Sequence, residues 1–193
     1  MVKYKRRYYR KRRGYSFKKA VSNYTYTKLS TLDEISMDNT AMKLIKPNDV
    51  KWNLYSYLSG CADWKTYTQL YTSFKVVGLA ISVTPNTPIG TFKWGGTGAI
   101  AYTSFADQTD VSSCIESNKS ILLSVVAPTR RYFPLNNGVT SWVSTTSPAQ
   151  VPGSILVACN RYPTDGGLVW SVRFDFYVMF KNTVFISIFI QYF

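Results

Sequence analysis

One segment of the sequence alternates between apolar and polar side chains, and this alternation constrains the fold more than any other feature. Within residues 170–180, every second position is apolar or aromatic: Trp170, Val172, Phe174, Phe176, Val178 and Phe180. The positions between them are Ser171, Arg173, Asp175, Tyr177 and Met179. Because successive side chains of a β-strand point to opposite faces, the segment predicts a long strand with one face in the core.

The same period of two recurs along most of the chain. Segment 74–84 brings Val77, Leu79, Ile81 and Val83 together on one predicted face. Segments rich in Gly, Pro and Asn separate the runs and are typical of turns. Capping-box spacing predicts two short helix starts, at Thr31 to Glu34 and at Ser113 to Glu116. The other predicted strands are 24–29, 51–57, 97–105, 120–127, 139–145, 154–162 and 183–193.

Eight or nine short strands without a long helical pattern predict an all-β fold. At 193 residues the chain is long enough for one domain with a buried core. We therefore predict a single eight-stranded antiparallel sandwich of the jelly-roll type. Immunoglobulin-like and lectin-like sandwiches are the alternatives, because the strand pattern alone does not distinguish them.

The positive charge of the sequence is concentrated at its beginning. Residues 1–19 contain ten Lys and Arg and no acidic residue, whereas the other 174 residues carry 13 cations and 10 anions. Ten like charges in a short segment repel one another and bury little apolar surface, so we expect a disordered arm. The predicted organisation is a basic arm, 1–19, followed by a nearly neutral jelly-roll domain, 20–193.

The arm interleaves its cations with tyrosines, which favours binding to single-stranded nucleic acid. Lys and Arg neutralise phosphates and release counterions, and aromatic rings stack on unpaired bases of any identity. A solubility tail and binding to acidic lipid are the alternatives. The basic run at 10–13 also fits a nuclear localisation signal. The predicted binding residues are Lys3, Tyr4, Lys5, Arg6, Arg7, Tyr8, Tyr9, Arg10, Lys11, Arg12, Arg13, Tyr15, Lys18 and Lys19.

The sequence offers little for catalysis. It contains no His, which excludes imidazole acid–base chemistry and His-ligated metals. Cys61, Cys114 and Cys159 lie far apart and form no CxxC pair, so we expect free, buried or half-buried thiols. We predict no catalytic residue, no metal and no cofactor. A His-free hydrolase would need a Ser–Lys pair or converging carboxylates, and no spacing suggests them.

Four further features have structural interpretations. The carboxylates at 33/34 and at 107/110 are expected to cap a helix and to stabilise a turn. The glycines at 95–98 predict a turn before a strand, since no Lys-Ser/Thr follows them. Arg130 and Arg131 form either a basic patch or a solvated loop. The apolar segment 182–193 is too short to span a membrane, and we expect a core strand or a subunit interface at 184–193.

Several motifs, in this order along the chain, resemble the capsid proteins of circoviruses and related circular single-stranded DNA viruses. The opening MVKYKRRYYRKRR is similar to their arginine- and tyrosine-rich starts. The run at 71–85, with a Tyr before a Lys-Val strand that ends near Pro, resembles an early core strand. Arg131-Tyr-Phe-Pro134 resembles a motif before a later loop, and 172–180 resembles the last strand.

This resemblance implies a viral coat protein located in the virion and the host nucleus. Its partners would be copies of itself in a small icosahedral shell, a single-stranded DNA genome and the nuclear import machinery, with no membrane insertion. The sequence identifies no host-cell receptor. If about sixty copies assembled, their arms would carry about 600 positive charges, comparable to the phosphates of a small single-stranded genome. The alternative is a non-viral, non-catalytic nucleic-acid-binding β domain with a basic tail.

Overall fold

A computed structural model describes residues 24–44, 54–86, 94–103, 115, 119–135, 141–146, 153–164 and 167–183. The predicted arm, 1–19, and the apolar segment 184–193 lie outside these residues. The described strands are β1 Tyr24–Met37, β2 Met42–Leu44, β3 Tyr71–Pro85, β4 Gly98–Thr103, β5 Ser120–Leu122, β6 Thr129–Pro134, β7 Val143–Ser144, β8 Ser154–Cys159 and β9 Leu168–Thr183. Two helices, α1 Leu54–Ser59 and α2 Trp64–Leu70, precede β3. Neither helix is long and apolar enough to cross a membrane.

The strands form two antiparallel sheets that pack face to face. The larger sheet has the order β2-β1-β9-β3-β6, with β7 also paired to β3, and the smaller has the order β5-β4-β8. One hydrophobic cluster contains buried side chains from both sheets, among them Phe174 and Ile100. The last described strand is therefore inserted between β1 and β3, and this non-sequential order is that of a jelly roll. The predicted all-β jelly-roll sandwich is confirmed, with nine strands in the described residues.

Strand β9 is the centre of the larger sheet and matches its sequence prediction. It pairs with β1 along all of Tyr24–Met37 and with β3 from Tyr71 to Pro85. The six side chains of its predicted core face, from Trp170 to Phe180, are all 0% exposed. Full burial of each large apolar side chain contributes about 1.5–3 kcal/mol to folding. The alternating pattern therefore identified the strand that contributes most to the core.

Strand β3 departs from its predicted face at one residue. The pairing of β3 with β9 shifts between Val76 and Gly78, which is a β-bulge. Leu79 and Val83 lie in the core as predicted, but Val77 is half-buried and the neighbouring Val76 is buried instead. A bulge adds one residue to a strand and thereby reverses the alternation on its two sides. The prediction for Val77 was wrong for this reason.

Helix α1 replaces most of a predicted strand at 51–57. Its buried residues Leu54, Tyr57 and Leu58 follow the three- and four-residue spacing of a helix rather than the period of two. Their aromatic and apolar composition resembles that of a strand, which explains the error. Residues 51–53 lie outside the described residues.

The helix start predicted at Thr31 and Glu34 is also wrong, because both residues belong to β1. Asp33 does not cap a helix. Its carboxylate is 7% exposed and accepts a 2.9 Å hydrogen bond from the Tyr57 hydroxyl, which joins α1 to β1. Burial, together with the negative charge of Asp33, raises the pKa of Tyr57 above its usual value. The second predicted helix start and the carboxylates at 107/110 lie outside the described residues, apart from Ile115.

Among the remaining strands, β1 is longer than the predicted 24–29, the others predicted from the sequence are shorter than expected, and two strands were missed. Strands β4, β5, β7 and β8 lie inside predicted segments, and the glycine segment leads into β4 as expected. Strand β2 was not predicted, and residues 130–134 of β6 were interpreted as a basic patch or a solvated loop.

Arg130 and Arg131 face opposite sides of β6, so these two arginines do not form one patch. The guanidinium of Arg131 donates to the Ser120 carbonyl at 2.7 Å and lies over the Phe133 ring.

Candidate nucleic-acid interface

The fourteen arm residues predicted to bind nucleic acid all lie before Tyr24, outside the described residues. The structure does show where the first strand of the sheet begins, at Tyr24. Tyr24 is 45% exposed and stacks on Trp142, with ring centroids 5.4 Å apart. The Lys181 ammonium lies 4.3 Å from the centroid of the same Trp142 ring. Since Tyr24 pairs with Lys181, the start of β1 and the end of β9 lie at the same end of the sheet.

The face of the larger sheet that points away from the core carries polar and charged side chains. The strand registers arrange them in rows across β1, β9, β3 and β6. One row contains Lys28, Tyr177 and Gly78, and the next contains Ser30, Asp175, Ala80 and Tyr132. A third row contains Leu32, Arg173, Ser82 and Arg130. We call Lys28, Arg130, Tyr132, Arg173 and Tyr177 the outer-face cluster.

Small residues on β3 shape the middle of this face. A methyl group at Gly78 would overlap the hydroxyl end of Tyr132, so the glycine allows the phenol to lie over the β3 backbone. The Tyr132 ring meets Tyr177 edge to face, with centroids 5.4 Å apart and planes at 81°. Tyr132 remains 51% exposed. The sheet thus presents an aromatic ring that packs on Tyr177 and on the β3 backbone and is about half exposed to solvent.

The buried carboxylate of Asp175 contacts two arginines of the outer-face cluster. Asp175 is 4% exposed and accepts hydrogen bonds from the Ser30 hydroxyl at 2.7 Å and from Arg173 Nε at 2.8 Å. An Arg130 nitrogen lies 3.6 Å from its other oxygen. Burial alone would raise the pKa of Asp175, but the hydrogen bonds from Ser30 and Arg173 and the charges of Arg173 and Lys28 outweigh it and lower the pKa. Asp175 is therefore ionised at neutral pH and holds Arg173 in place.

We expect the Asp175→Asn substitution to destabilise the fold by about 1–3 kcal/mol at pH 7, because it removes charged hydrogen bonds in a buried position. The pKa of Asp175 is lower in the folded state, so its contribution is complete above the unfolded pKa near 3.8 and is lost as the pH falls through the folded pKa. Urea unfolding should therefore show a difference between wild type and variant at pH 7 that shrinks below about pH 4.

The matched control is Asp63→Asn, since Asp63 is exposed and makes no side-chain capping hydrogen bond at α2. We expect this control to change the free energy of unfolding by less than about 0.5 kcal/mol. An equal loss in both variants, or a difference that does not depend on pH, would contradict the role given to Asp175.

The two cysteines that the structure describes belong to the buried interior. Cys61 and Cys159 are buried and free, as predicted, and Cys114 lies outside the described residues. Burial, with smaller effects from Asp63 and Asp175, raises the pKa of Cys61 to about 12, so the thiol is not a nucleophile at neutral pH. Within the described residues, no group of three Cys, Asp or Glu side chains is arranged to hold a metal ion.

Several large apolar side chains are exposed on the described domain. They include residues on β1, α2, β5 and the segment between β5 and β6. Exposed apolar groups of this kind contribute to contacts between subunits when they are buried by a neighbour. The most exposed aliphatic side chains among them are Val126 at 66%, Leu32 at 65% and Leu122 at 55%.

The sheet order and the core shared by the two sheets define a jelly-roll sandwich, and comparison with solved structures finds the same fold in viral capsids. The decameric capsid protein of BFDV is 12% identical with a TM-score of 0.54, covering 82% of this chain and 99% of that chain. The structure of Cocksfoot mottle virus is 10% identical with a TM-score of 0.57, covering 86% and 98%. A virus-like particle of the Macrobrachium rosenbergii nodavirus is 11% identical with a TM-score of 0.53, covering 81% and 93%.

No family model and no curated protein matches this sequence. At identities of 10–12% the structural likeness establishes the fold, which is the jelly roll of viral capsid proteins. The similar structures come from several viruses, so they do not single out the circovirus group that the sequence resembles.

The outer-face cluster was not predicted as a functional site. Its members are separated by up to 149 positions in the chain, and only the order of the strands brings them together. One signal was present in the sequence: Arg130 and Tyr132 have the two-residue spacing that places both on one face of a strand.

Proposed function

We propose that this protein is a viral capsid protein that self-assembles into a small icosahedral shell and packages single-stranded DNA through its basic arm. The observation that carries the proposal is the jelly roll itself, which capsid structures share over more than four-fifths of the chain. The described domain supplies the rigid body of a shell subunit. Its exposed apolar side chains provide surface for contacts with neighbouring copies.

The arm supplies the charge that a packaged genome requires. Its ten cations are attached to a body that is nearly neutral, so most of the net charge of +13 resides in 1–19. Phosphate neutralisation on a single strand releases counterions with a salt slope of about 0.7 per contact. The arm tyrosines add stacking on unpaired bases without a preference for sequence. Both effects suit a protein that must condense a genome of any sequence.

The same arm would direct the protein to the host nucleus. Short runs of Lys and Arg, such as 10–13, are recognised by nuclear import machinery. The sites of action would then be the nucleus, where a circular single-stranded DNA genome is available, and the virion. This part of the proposal rests on the resemblance of the arm to the starts of circovirus capsid proteins.

The proposal is tested by sedimentation velocity of the full-length protein in moderate salt, recorded at 260 and 280 nm. We expect a sharp species of megadalton size, with the excess absorbance at 260 nm that packaged nucleic acid produces. A species of only one to a few 21.9 kDa chains would contradict the shell and would favour a nucleic-acid-binding β domain with a basic tail. A particle without excess 260 nm absorbance would contradict packaging alone.

A further inference from the structure

The outer face of the larger sheet carries more positive than negative charge. On β1, β9, β3 and β6, five cations point away from the core, and they are Lys28, Lys75, Arg130, Arg173 and Lys181. Two carboxylates, Glu34 and Asp175, point the same way, and Asp175 is buried beneath the arginines. A surface with this balance attracts a polyanion, and the attraction is screened by salt.

The cations surround an aromatic ring that can stack. Tyr132 is 51% exposed, although Tyr177 packs against it and the β3 backbone at Gly78 lies beneath it. The ring is therefore oriented before any ligand arrives, which reduces the entropy lost on binding. Arg130 and Arg173, with side chains 60% and 48% exposed, lie in the adjacent row.

We propose that the outer-face cluster is a second nucleic-acid contact, in which Tyr132 stacks on an unpaired base and the surrounding cations bind the neighbouring phosphates. This inference rests on the proposed function, because it assigns to the body of the subunit a share in holding the packaged strand. It adds to the arm a contact surface that is structured and has a defined position on the sheet.

The position of the outer-face cluster supports single-stranded nucleic acid as its ligand. Tyr24 begins β1 on the same face of the sheet, only five residues after Lys19, the last arm cation. Five extended residues span at most about 18 Å. From Tyr24 to Lys28 the strand adds about 14 Å. A strand of nucleic acid held by the arm would therefore run within reach of the cluster.

Other occupants fit less well. The chain's own arm carries ten positive charges and would be repelled by the cations of this face. Duplex DNA would meet the charges but offers no exposed base faces for Tyr132. A second copy of the chain would have to desolvate Arg130 and Arg173, which Asp175 only partly neutralises.

The test compares variants of the full-length protein at Tyr132 in binding to short oligothymidylate and to a duplex of equal length. We expect Tyr132→Leu to weaken single-strand binding by about fivefold to 150-fold, since that is the effect of losing one stacked base. Tyr132→Phe should retain the wild-type affinity, because the ring is kept. Binding to the duplex should not change in either variant.

A variant at Gly78 makes the test independent of deleting the ring. Gly78→Ala places a methyl group where the Tyr132 hydroxyl end lies, so it should displace the ring and reproduce the loss seen in Tyr132→Leu. Tyr162→Leu is the control for loss of a tyrosine: it removes an exposed tyrosine, 41% accessible, from the segment after β8 and should have no effect on binding.

A double variant tests the phosphate contacts. Replacing Lys28 and Arg130 together, Lys28→Gln and Arg130→Gln, should reduce the salt slope of single-strand binding by about 1.4. Lys65→Gln, on α2, is its control.

The possible results distinguish a failure of this inference from a failure of the proposed function. If the full-length protein forms no particle and binds no single-stranded nucleic acid, the proposed function fails. If it does both but Tyr132→Leu binds oligothymidylate like wild type, only the outer-face contact is overturned. If Tyr132→Leu prevents particle formation while oligothymidylate binding is unchanged, the face is an interface between subunits, and the inference is overturned as well.

Discussion

Removal of residues 1–19 is expected to give particles that contain no nucleic acid. The deletion takes away ten of the 23 cations, while the described β domain, which begins at Tyr24, keeps its core. If all ten cations contact phosphates, the salt slope of single-strand binding should decrease by about 7. The truncated protein should retain only weak, salt-sensitive binding through the outer-face cluster.

Sedimentation at 260 and 280 nm measures both parts of this prediction, because it reports particle size and nucleic-acid content together. The sharpest control is a variant in which the order of residues 2–19 is scrambled and their composition is kept. Charge neutralisation and stacking do not depend on that order, so the scrambled arm should package nucleic acid like wild type. Tight, salt-insensitive binding by the truncated protein would show that the body, rather than the arm, carries the genome contact.

Substitution of Phe180 by Ala is expected to destabilise the fold by about 3–5 kcal/mol, the usual effect of removing a buried phenyl ring. Phe180 is 0% exposed, and its ring lies 4.9 Å from Tyr67 and 5.4 Å from Tyr71. Trp64 and Phe74 complete the ring cluster at 6.1 and 6.3 Å. Since Trp64 and Tyr67 belong to α2, the substitution should also loosen this helix from the sheet.

Urea unfolding followed by tryptophan fluorescence measures the loss, and it should be a large part of a total stability of about 5–15 kcal/mol. Leu32→Ala is the matched control, because Leu32 is 65% exposed on the neighbouring strand β1. We expect this control to cost less than about 0.5 kcal/mol. A loss below about 1 kcal/mol for Phe180→Ala would contradict the core described above.

Two sequence patterns led to correct predictions because their physical causes are local. The alternation in 170–180 correctly identified the six core residues of β9, since side chains alternate along any strand whatever it pairs with. Turn residues correctly separated β3 from β4, β7 from β8 and β8 from β9, because Gly, Pro and Asn favour turns through their own backbone preferences.

The errors arose where a tertiary contact decided the local structure. Asp33 was read as a helix cap, but the Tyr57 hydroxyl satisfies its carboxylate inside the sandwich. Val77 was placed in the core, but pairing with β9 introduces a bulge that turns it away. Neither the hydrogen bond nor the bulge can be read from neighbouring residues, since both depend on strands or helices distant in the chain.

The sequence by itself determined the all-β class, the core face of β9 and the separation of a cationic segment from a nearly neutral body. Each follows from composition or from the period of side chains along one strand. Only the tertiary structure decided which strands are neighbours and which outward-facing residues meet. Lys28, Tyr132 and Tyr177 come together because β9 is inserted between β1 and β3, and β6 pairs with the far edge of β3. Such an order depends on long-range backbone pairing, and no local pattern encodes it.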